Sequence, residues 1–347
     1  MPSLFPTRSH DGGCPIKPTI LVTGGSGYIG SHVVKELLGQ GYPVVVFDRN
    51  RLPDGLRRLA DGARLMEVQG DLADCATLHA AIRTHGPKAA VHLAGDIAVG
   101  ESVENPAKYY NNNLGNGLNL LNALLAHDVK CFVFSSTAAV YGMPQTVPIP
   151  EDHPTIPINP YGRTKLMIER ILSDYDAAYG FRSIRLRYFN AAGADSSGLI
   201  GEAHDPETHL VPLVLQVPLG RRQHIQIFGT DYLTADGTCV RDYIHVTDLS
   251  AAHVLAVEAL LSGCRSDVFN LGNGEGHSVR QVIATAEDVT GRPIAAKEGP
   301  RRAGDSPALV ASSKKAMQEL GWKPRLHELQ TIVRTAWEWH RRDGKTG

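Results

Sequence analysis

The chain has 347 residues, and its 35 Lys and Arg against 36 Asp and Glu give a net charge of −1 at pH 7. This length accommodates one large α/β domain with a further lobe, or two domains, and the balanced charge disfavours nucleic acid as a partner. No apolar run reaches the ~20 residues that a membrane helix needs, and residues 1–15 lack the apolar stretch of a secretory signal.

The cysteines and the first residues indicate the cellular compartment. The five cysteines are odd in number and widely spaced, and they contain no C-x-x-C pair. We therefore expect reduced thiols in a cytoplasmic protein, with neither a disulfide framework nor a zinc site. Residues 1–17 have no hydrophobic periodicity and are predicted to form a disordered tail.

Residues 19–48 predict a strand, a tight turn, a helix and a second strand. A β-branched run stops at Thr23, and apolar residues at helical spacing begin at Ile29. Between them lie glycines at three-residue spacing, Gly24, Gly27 and Gly30. Because glycine has no Cβ, such a turn brings backbone N–H groups and the positive end of the helix dipole close to a pyrophosphate. The second strand, 43–48, ends at Asp48, where an acid should meet the adenosine ribose, and this context disfavours a glycine-rich turn without a ligand.

The alternation of strands and helices continues along the first half of the chain. Strand three, 64–72, carries Asp71, which could accept a hydrogen bond from the adenine amino group. Strand four, 88–95, ends in small residues, and strand five covers 130–137. Strands that alternate with helices and end in small or polar residues predict an α/β fold with a doubly wound parallel sheet of the Rossmann type. The ligand of such a sheet lies across the carboxyl ends of the strands.

A long helix is predicted between residues 106 and 129, and it contains the polar run Asn111, Asn112 and Asn113. Polar side chains on a helix that packs against a sheet are costly unless they are paired. We therefore expect this run to face the cofactor cleft or another polar group. A solvated position remains the alternative for one or two of the three.

The candidate catalytic residues follow strand five, in a helix that begins near residue 160. Asn159 is the predicted N-cap, and Tyr161 and Lys165 lie four residues apart on one helix face. An unperturbed phenol titrates near pH ~10, and a nearby ammonium would favour the phenolate, which makes Tyr161 a candidate for proton transfer. Ser136 and Thr137 could supply a hydroxyl that shares the substrate proton. Y-x-x-x-K also occurs in ordinary helices. The hypothesis that this pair is catalytic therefore depends on its position after five α/β units and a dinucleotide-binding turn.

In the second half of the chain the predicted strands and helices are shorter, and they no longer alternate regularly. A sixth strand is predicted at 181–190, a loop at 191–208, and a helix at 210–219. Guanidinium groups bind phosphate bidentately, so Arg241, Arg301 and Arg302 are candidates for a second diphosphate, with surface charge balance as the alternative for each. His204 and His209 have no metal-ligand spacing of the H-E-x-x-H type and are interpreted as structural or surface groups.

Taken together, these residues resemble the UDP-glucose 4-epimerases, a family within the extended short-chain dehydrogenase/reductase superfamily. The resemblance spans about residues 19–340. Its motifs lie at residues 23–30, 92–95, 99–102, 109–113, 135–142, 160–165, 187–190, 236–248 and 301–305. The first motif and the one at 160–165 recur across the superfamily, whereas 236–248 and 301–305 are much closer to the epimerases.

The resemblance implies a tightly held NAD that is reduced and reoxidised within one turnover of a UDP-hexose. By similarity, Tyr161 takes the proton of the sugar 4-hydroxyl while NAD takes the hydride from C4. Lys165 holds the nicotinamide ribose and depresses the pKa of Tyr161, and Thr137 bonds the same hydroxyl. The 4-keto sugar then rotates and receives the hydride on its other face. The implied activity is the interconversion of UDP-glucose and UDP-galactose in galactose metabolism, by a homodimer.

The same similarity implies an NAD-binding domain at 18–190 and a mainly UDP-sugar-binding part at 191–340, with 241–262 packing back on the first domain. The residues implied for NAD are Gly24, Gly27, Tyr28, Ile29, Gly30, Asp48, Arg49, Asp71, Leu72, Leu93, Ala94, Gly95, Asn112, Ser135, Tyr161, Lys165 and Phe189. Those implied for the UDP-sugar are Thr137, Tyr161, Asn190, His209, Leu210, Gln226, Phe228, Arg241, Arg302, Asp305 and Leu309.

Three positions depart from the best-known bacterial pattern. Ile97 stands where that pattern has a Lys that contacts the cofactor, and His209 replaces an Asn beside the sugar. Leu309 replaces a bulky Tyr that walls the sugar pocket, which predicts that N-acetylated UDP-hexosamines are also accepted. Asp48 disfavours a 2′-phosphate and so favours NAD over NADP, and the adjacent Arg49 opposes that effect.

Two rival functions remain open. A nucleotide-sugar dehydratase, or another epimerase of the superfamily, would use the same scaffold, but a dehydratase usually needs an acidic pair after strand five, and residues 137–139 contain no acid. A binding protein that senses the dinucleotide without turnover is disfavoured because Tyr161 and Lys165 are both intact.

Overall fold

The computed structural model describes residues 17–60, 62, 64–302 and 305–343, without the side chain of Asp343. The predicted disordered tail falls on residues outside these ranges except for Lys17, whose Nζ lies 4.1 Å from the centroid of the Tyr42 ring. None of the helices in the described part of the chain is long and apolar enough to cross a membrane.

The strands are numbered in chain order. They are β1 (Ile20–Thr23), β2 (Val44–Asp48), β3 (Leu65–Gln69), β4 (Ala89–His92), β5 (Cys131–Thr137), β6 (Arg182–Tyr188), β7 (Asn190–Ala192), β8 (Ile225–Phe228), β9 (Val240–His245), β10 (Asp267–Leu271), β11 (Gly276–Ser278), β12 (Ala296–Gly299) and β13 (Ala308–Leu309).

The α-helices are numbered in the same way. They are α1 (Tyr28–Gly39), α2 (Asp54–Leu59), α3 (Cys75–His85), α4 (Val99–Glu104), α5 (Pro106–Tyr109), α6 (Asn116–Ala126), α7 (Pro160–Tyr179), α8 (Leu210–Leu215), α9 (Val246–Leu261), α10 (Val279–Thr290), α11 (Lys314–Glu319) and α12 (Leu329–Asp343).

A seven-stranded parallel sheet forms the centre of the molecule, with the strand order β10-β6-β5-β4-β1-β2-β3. Successive strand residues point to opposite faces of a sheet. Ile20 and Val22 therefore pack with α1 and α9 on one face, while Leu21 packs with α3, α6 and α7 on the other. Burial on both faces explains why β1 and β2 are continuous apolar runs. The predicted doubly wound parallel sheet is confirmed.

The helix predicted between 106 and 129 is present over residues 106–126, but it is not α-helical throughout. A π-helical segment, Tyr110–Gly115, separates α5 from α6. The asparagine run lies in this π-helical segment. Asn113 bonds the backbone N–H and C=O of Asp96, and Asn112 Nδ2 donates to the Asp96 carboxylate at 2.8 Å. Two of the three asparagines thus pair with a polar group, and Asn111 is exposed.

The second part of the chain forms a smaller lobe around β9, which pairs with β7, β11 and β13. Helices α8, α10 and α12 pack together into its core, beside the two-stranded sheet of β8 and β12. The strand predicted at 181–190 is divided, because β6 ends at Tyr188 and Asn190 begins β7 in the other sheet. Helix α8 ends at Leu215 rather than at 219, since Pro218 restricts the residue before it.

The chain crosses between the two parts more than once. After β9, helix α9 packs against α1 and strands β4, β5 and β6, and β10 then pairs with β6 at the edge of the large sheet. Residues 246–271 therefore lie on the seven-stranded sheet although they follow the smaller lobe in sequence. The domain division at residue 190 remains a prediction.

Candidate active site

The glycine turn between β1 and α1 leaves no room for side chains. Gly24 has φ 75°, and a Cβ there would lie 2.5 Å from the backbone nitrogen of Ala94. A Cβ on Gly30 would lie 2.0 Å from the carbonyl oxygen of Gly24. These contacts let the backbone of the turn approach β4 closely, so the N-terminus of α1 opens toward the carboxyl ends of the strands. This is the cradle that a dinucleotide pyrophosphate requires.

The carboxylate of Asp48 closes the turn from the side of β2. It accepts hydrogen bonds from the backbone N–H of Ser26 at 3.0 Å and of Asn50 at 2.9 Å. Arg49 beside it points outward and lies 3.8 Å from Asp71, with more than half of its side chain exposed. The acid therefore has a fixed position at the end of β2, where the sequence predicts contact with a ribose.

An open cleft runs along the carboxyl ends of β1, β2, β3 and β4. Its lining contains ten of the residues predicted for NAD, namely Gly24, Gly27, Asp48, Arg49, Asp71, Leu72, Leu93, Ala94, Gly95 and Asn112. It also contains Phe47, Asn50, Gly70 and Asn116, which were not predicted. Their side chains carry no pattern that predicts cofactor binding, because a cleft wall can be formed by many residue types. The residues present fit a dinucleotide.

The other residues predicted for the cofactor lie around this cleft rather than in its lining. Gly30 lies beneath the turn, Ile29 packs against the core, and Phe189 packs with Ala138 and Tyr141. The Tyr28 hydroxyl donates to the carbonyl oxygen of Gly193 at 2.6 Å. Ser135, Tyr161 and Lys165 lie deeper, at the end of β5.

Tyr161 and Lys165 are both buried, at 8% and 5% exposure, on the first turns of α7. Asn159 caps this helix as predicted, because its side chain accepts from the N–H of Gly162 at 2.8 Å. The Lys165 ammonium donates to the carbonyl oxygen of Ser135 at 2.9 Å and lies 6.0 Å from the centroid of the Tyr161 ring. Helix α7 thus brings the phenol and the ammonium to the end of β5, which carries Thr137.

Burial shifts the pKa values of both side chains of this pair. Burial raises the pKa of Tyr161, and a hydrogen bond with the Thr137 side chain partly opposes that rise. Burial also lowers the pKa of Lys165 to about 8. The resemblance implies that Lys165 depresses the pKa of the phenol. The protein groups around Tyr161 raise that pKa, and the effect of Lys165 with NAD bound stays a prediction.

Most residues predicted for the UDP-sugar lie on strands of the smaller lobe or beside them, whereas Thr137 and Tyr161 belong to β5 and α7. Arg241 on β9 lies opposite Leu309 on β13, and β7, which Asn190 begins, runs beside the other end of β9. The Arg241 guanidinium donates to the carbonyl oxygen of Ser306 at 2.8 Å and lies 3.5 Å from Asp305. Gln226 and Phe228 belong to β8, and Leu210 begins α8.

The two other arginine candidates differ in their surroundings. Arg302 places its guanidinium 3.9 Å from the centroid of the Phe228 ring. Arg301 donates to Asp231 at 2.7 Å and stacks on Tyr232 at 4.2 Å. Arg301 is therefore engaged by a surface acid, as the charge-balance alternative anticipates, whereas Arg302 lies beside another residue predicted for the substrate.

A model of the family described as NAD dependent epimerase/dehydratase matches residues 20–272. The chain belongs to this family. This membership confirms the resemblance drawn from the sequence and the prediction of NAD as the cofactor.

Individual relatives agree with the family assignment. The UDP-glucose 4-epimerase of Halalkalibacterium halodurans is 52% identical over 325 residues, which cover 93% of this chain and 95% of the relative. The structure of UDP-glucose 4-epimerase from Brucella ovis in complex with NAD has a TM-score of 0.88 and 46% identity, covering 92% of this chain and 97% of that one. A UDP-glucose 4-epimerase from Stenotrophomonas maltophila, solved with NAD and formylated UDP-arabinopyranose, has a TM-score of 0.91 and 40% identity, covering 95% and 100%.

This member of the epimerase/dehydratase family also has a buried ion pair behind the Tyr161 helix that the sequence analysis missed. Glu169 lies one turn beyond Lys165 on α7, and Arg187 on β6 donates to both of its carboxylate oxygens, at 2.5 and 2.9 Å. Ser136 donates to the same carboxylate at 2.5 Å, and Arg187 also donates to the Tyr141 hydroxyl at 3.0 Å. The pair joins α7 to β5 and β6. The four-residue spacing from Lys165 to Glu169 was its only signal in the sequence.

The loop before α8 gathers two histidines and two glutamates. His209, predicted to contact the sugar, places Nδ1 2.5 Å from a Glu202 oxygen, and His204 Nδ1 lies 3.1 Å from the same oxygen. Burial lowers the pKa of His209, but hydrogen bonds to Glu202 and Glu207 outweigh this and raise the pKa to about 10. The ring of His204 lies edge-on to Tyr28 at 6.3 Å. These histidines are thus part of one cluster and not separate surface groups.

Proposed function

We propose that this chain is a UDP-glucose 4-epimerase that interconverts UDP-glucose and UDP-galactose through a 4-keto intermediate, and so serves galactose metabolism. The observation that carries the proposal is the burial of Tyr161 and Lys165 on one face of α7, beside Thr137 and the cleft that fits a dinucleotide. The 52% identity to a UDP-glucose 4-epimerase supports the same activity.

Each residue of this group has a separate task. The Tyr161 oxygen takes the proton of the sugar 4-hydroxyl and returns it later, and the Thr137 hydroxyl orients that proton. The Lys165 ammonium, held by the Ser135 carbonyl, supplies positive charge near the phenol. NAD, when bound, supplies a nicotinamide ring that accepts and returns the C4 hydride, and whose positive charge favours the phenolate. Burial of these side chains excludes water from the proton transfer.

The selectivity for NAD over NADP rests on Asp48. Its carboxylate is fixed by two backbone N–H groups, so it cannot turn away from a 2′-phosphate at the ribose. Arg49 is directed toward Asp71 and solvent, which leaves the phosphate without an obvious cationic partner there. The charge of Asp48 therefore disfavours NADP.

The substrate contacts proposed in the smaller lobe are those of Asn190, His209, Leu210, Gln226, Phe228, Arg241, Arg302, Asp305 and Leu309. Arg241 and Arg302 supply the positive charge that a diphosphate needs. Leu309 is half-buried beside the core around Tyr141 and is shorter than a Tyr, which supports acceptance of an N-acetyl group on the sugar.

A homodimer is proposed through the helices of the NAD-binding part. Exposed apolar side chains lie on α4 and α7, which pack against each other, with Val103 62% exposed and Met167 38% exposed. Apolar side chains grouped on adjacent helices favour coverage by a second copy. The free thiols of Cys75, Cys131, Cys239 and Cys264 support a reducing compartment such as the cytoplasm.

The decisive experiment is incubation of the purified protein with UDP-galactose, without and with added NAD, followed by separation of the nucleotide sugars. We expect UDP-glucose to form without added NAD and without net NADH, because the hydride returns to the sugar. A dehydratase would instead release a deoxy-keto sugar, and a sensor would give no product. Absence of UDP-glucose in both reactions would contradict the proposal.

A further inference from the structure

The loop of residues 202–209 brings four metal-ligating side chains to one point. Glu202, His204, Glu207 and His209 each offer one nitrogen or oxygen, and these four atoms lie within 4.8 Å of one another. The cluster lies in front of α8 and beside Tyr28 of α1. The epimerase chemistry proposed above uses no metal ion and gives no role to Glu202, His204 or Glu207.

The separations between the donor atoms match those around a four-coordinate ion. Zn²⁺ binds imidazole nitrogen and carboxylate oxygen at about 2.0–2.2 Å, which puts neighbouring ligands of a tetrahedron about 3.4 Å apart. The Nδ1 atom of His204 lies 3.1 Å from Glu202 and 3.9 Å from Glu207, and Nδ1 of His209 lies 3.5 Å from Glu207. The 2.5 Å contact between His209 and Glu202 is shorter by about 0.9 Å and would have to lengthen.

The surroundings orient the Glu207 carboxylate, hold the backbone of Glu202 and leave an entry path. The Glu207 carboxylate accepts from the backbone N–H groups of Thr208 and His209, at 2.7 and 2.8 Å. The backbone of Glu202 is held by Trp339, whose indole N–H donates to its carbonyl oxygen at 2.8 Å. The side chains of Glu202 and Glu207 are buried, whereas those of His204 and His209 are 31% and 43% exposed, so an ion can reach the cluster from the histidine side.

We propose that Glu202, His204, Glu207 and His209 bind one divalent transition-metal ion of the Zn²⁺ type. Two imidazoles with two carboxylates favour zinc over Mg²⁺ and Ca²⁺, which prefer oxygen ligands alone. Metal sites have ligands that are oriented by outer hydrogen bonds, and they have a path by which the ion enters. The backbone N–H groups at Glu207 and the exposed histidine side correspond to these two features. The inference goes beyond the proposed epimerase activity and does not depend on it.

The ion would have a structural role. Four protein ligands complete a tetrahedral shell and leave no position for an activated water. The shell would tie residues 202–209 into a closed loop directly before Leu210, the first residue of α8, and beside the ring of Tyr28. The metal would thus fix a loop that contacts Tyr28, predicted to bind NAD, and leads into Leu210, predicted to bind the sugar.

The test uses the full-length protein with its bound NAD, treated with a chelator and then titrated with Zn²⁺ by calorimetry and with Co²⁺ by visible absorption. We expect one equivalent of Zn²⁺, the intense visible bands of tetrahedral Co²⁺, and a higher melting temperature with Zn²⁺. His204→Ala and Glu207→Gln should each weaken binding at least tenfold and remove the Zn²⁺-dependent rise in melting temperature.

The matched control is His127→Ala, which removes a histidine from the pair His79 and His127 elsewhere on the surface, where the ring nitrogens lie 3.1 Å apart. Its binding should equal that of the unmodified chain. Binding that is lost in His127→Ala but kept in His204→Ala and Glu207→Gln would overturn the proposal. Absence of saturable binding would do so as well, and would leave the cluster as a set of histidine–glutamate ion pairs. Glu207→Gln conserves shape, and its NAD content reports whether the variant is folded.

Discussion

The Lys165 ammonium donates to the carbonyl oxygen of Ser135, near the end of β5, while it lies 6.0 Å from the centroid of the Tyr161 ring. Its hydrogen bond thus joins α7 to the strand that carries Thr137. Because burial raises the pKa of Tyr161, the protein supplies a positioned phenol rather than a preformed phenolate. In the proposed mechanism, the positive charge that favours proton abstraction comes from Lys165 and the oxidised cofactor together.

Replacement of Tyr161 by Phe should abolish turnover while leaving the fold intact. The phenol ring is buried and its oxygen is the proposed proton acceptor, so the variant loses general base catalysis, which contributes about 10²–10⁴-fold to a rate. Measurement of kcat with UDP-galactose checks this, and NAD content checks that the variant is folded. Turnover at the rate of the unmodified enzyme would exclude Tyr161 as the base.

Removal of the Thr137 hydroxyl should move the pH profile. The hydrogen bond between Thr137 and Tyr161 lowers the pKa of the phenol against the effect of burial, so Thr137→Val should raise that pKa further. The basic shift of the kcat profile is the readout, because a purely structural loss would lower kcat equally at every pH. Ser136→Ala, which alters the neighbouring hydroxyl, is the control and should leave the midpoint of the profile in place.

The stability of the chain should carry a pH signature of Lys165. Its pKa falls from 10.5 to about 8 on burial, so the unfolded chain binds more protons than the folded chain between pH 8 and 10.5. The contribution of Lys165 to the free energy of unfolding therefore increases as pH rises through that window. Below about pH 8 the buried side chain is charged, and the cost of burying the ammonium is fully present.

Replacement by Met removes this cost. In cofactor-free protein, the change in the free energy of unfolding caused by Lys165→Met should be more favourable at pH 7 than at pH 10. The difference between the two changes should be on the order of 1–3 kcal/mol. Urea unfolding of the two chains at both pH values measures it. Lys88→Met, at an exposed position, is the control. An equal effect of Lys165→Met at the two pH values would contradict the assignment.

The pair of Glu169 and Arg187 should be expensive to break. Both side chains are almost fully buried, and Glu169 also accepts from Ser136. Glu169→Gln leaves the guanidinium without its counter-charge and should cost about 3–5 kcal/mol of the free energy of unfolding. The double variant Glu169→Leu with Arg187→Leu should cost less than the sum of the two single changes, which denaturant unfolding measures. Additive costs would indicate that the two residues act independently.

The parts of this molecule that were predictable are those set by local sequence. Continuous apolar strands, the glycine turn and the spacing of Tyr161 and Lys165 are read within a few residues, because they depend on strand burial, a missing Cβ and helical periodicity. The asparagines of the π-helical segment find their partner in Asp96, 16 and 17 residues away, and Glu169 is met by Arg187 from a strand. Such partners are fixed only by the tertiary fold.

Introduction of a cation at Ile97 should tighten NAD binding. Ile97 is 40% exposed, and the resemblance implies a cofactor-contacting Lys at this position. A partly exposed charged contact is worth up to about 1 kcal/mol, so Ile97→Lys should lower the dissociation constant of NAD about fivefold. Calorimetric titration of cofactor-free protein measures this. Met317→Lys, a charge added at an equally exposed apolar site on α11, should leave the constant unchanged, and an equal gain there would point to a general charge effect.

The side chain at 309 should set the range of sugars. Leu309 lies on β13 opposite Arg241 and is half-buried, so a Tyr there would extend into the space beside Arg241, the arginine proposed to bind the diphosphate. Leu309→Tyr should abolish turnover of UDP-GlcNAc, whose N-acetyl group needs that space, and should leave UDP-glucose turnover within about threefold. Steady-state kinetics on both substrates measure the split. Because a methylene-sized difference alone discriminates weakly, the bulk of the tyrosine ring is what makes a near-complete loss the expectation. An equal loss on the two substrates would mean that position 309 supports the fold of β13 and does not select the sugar.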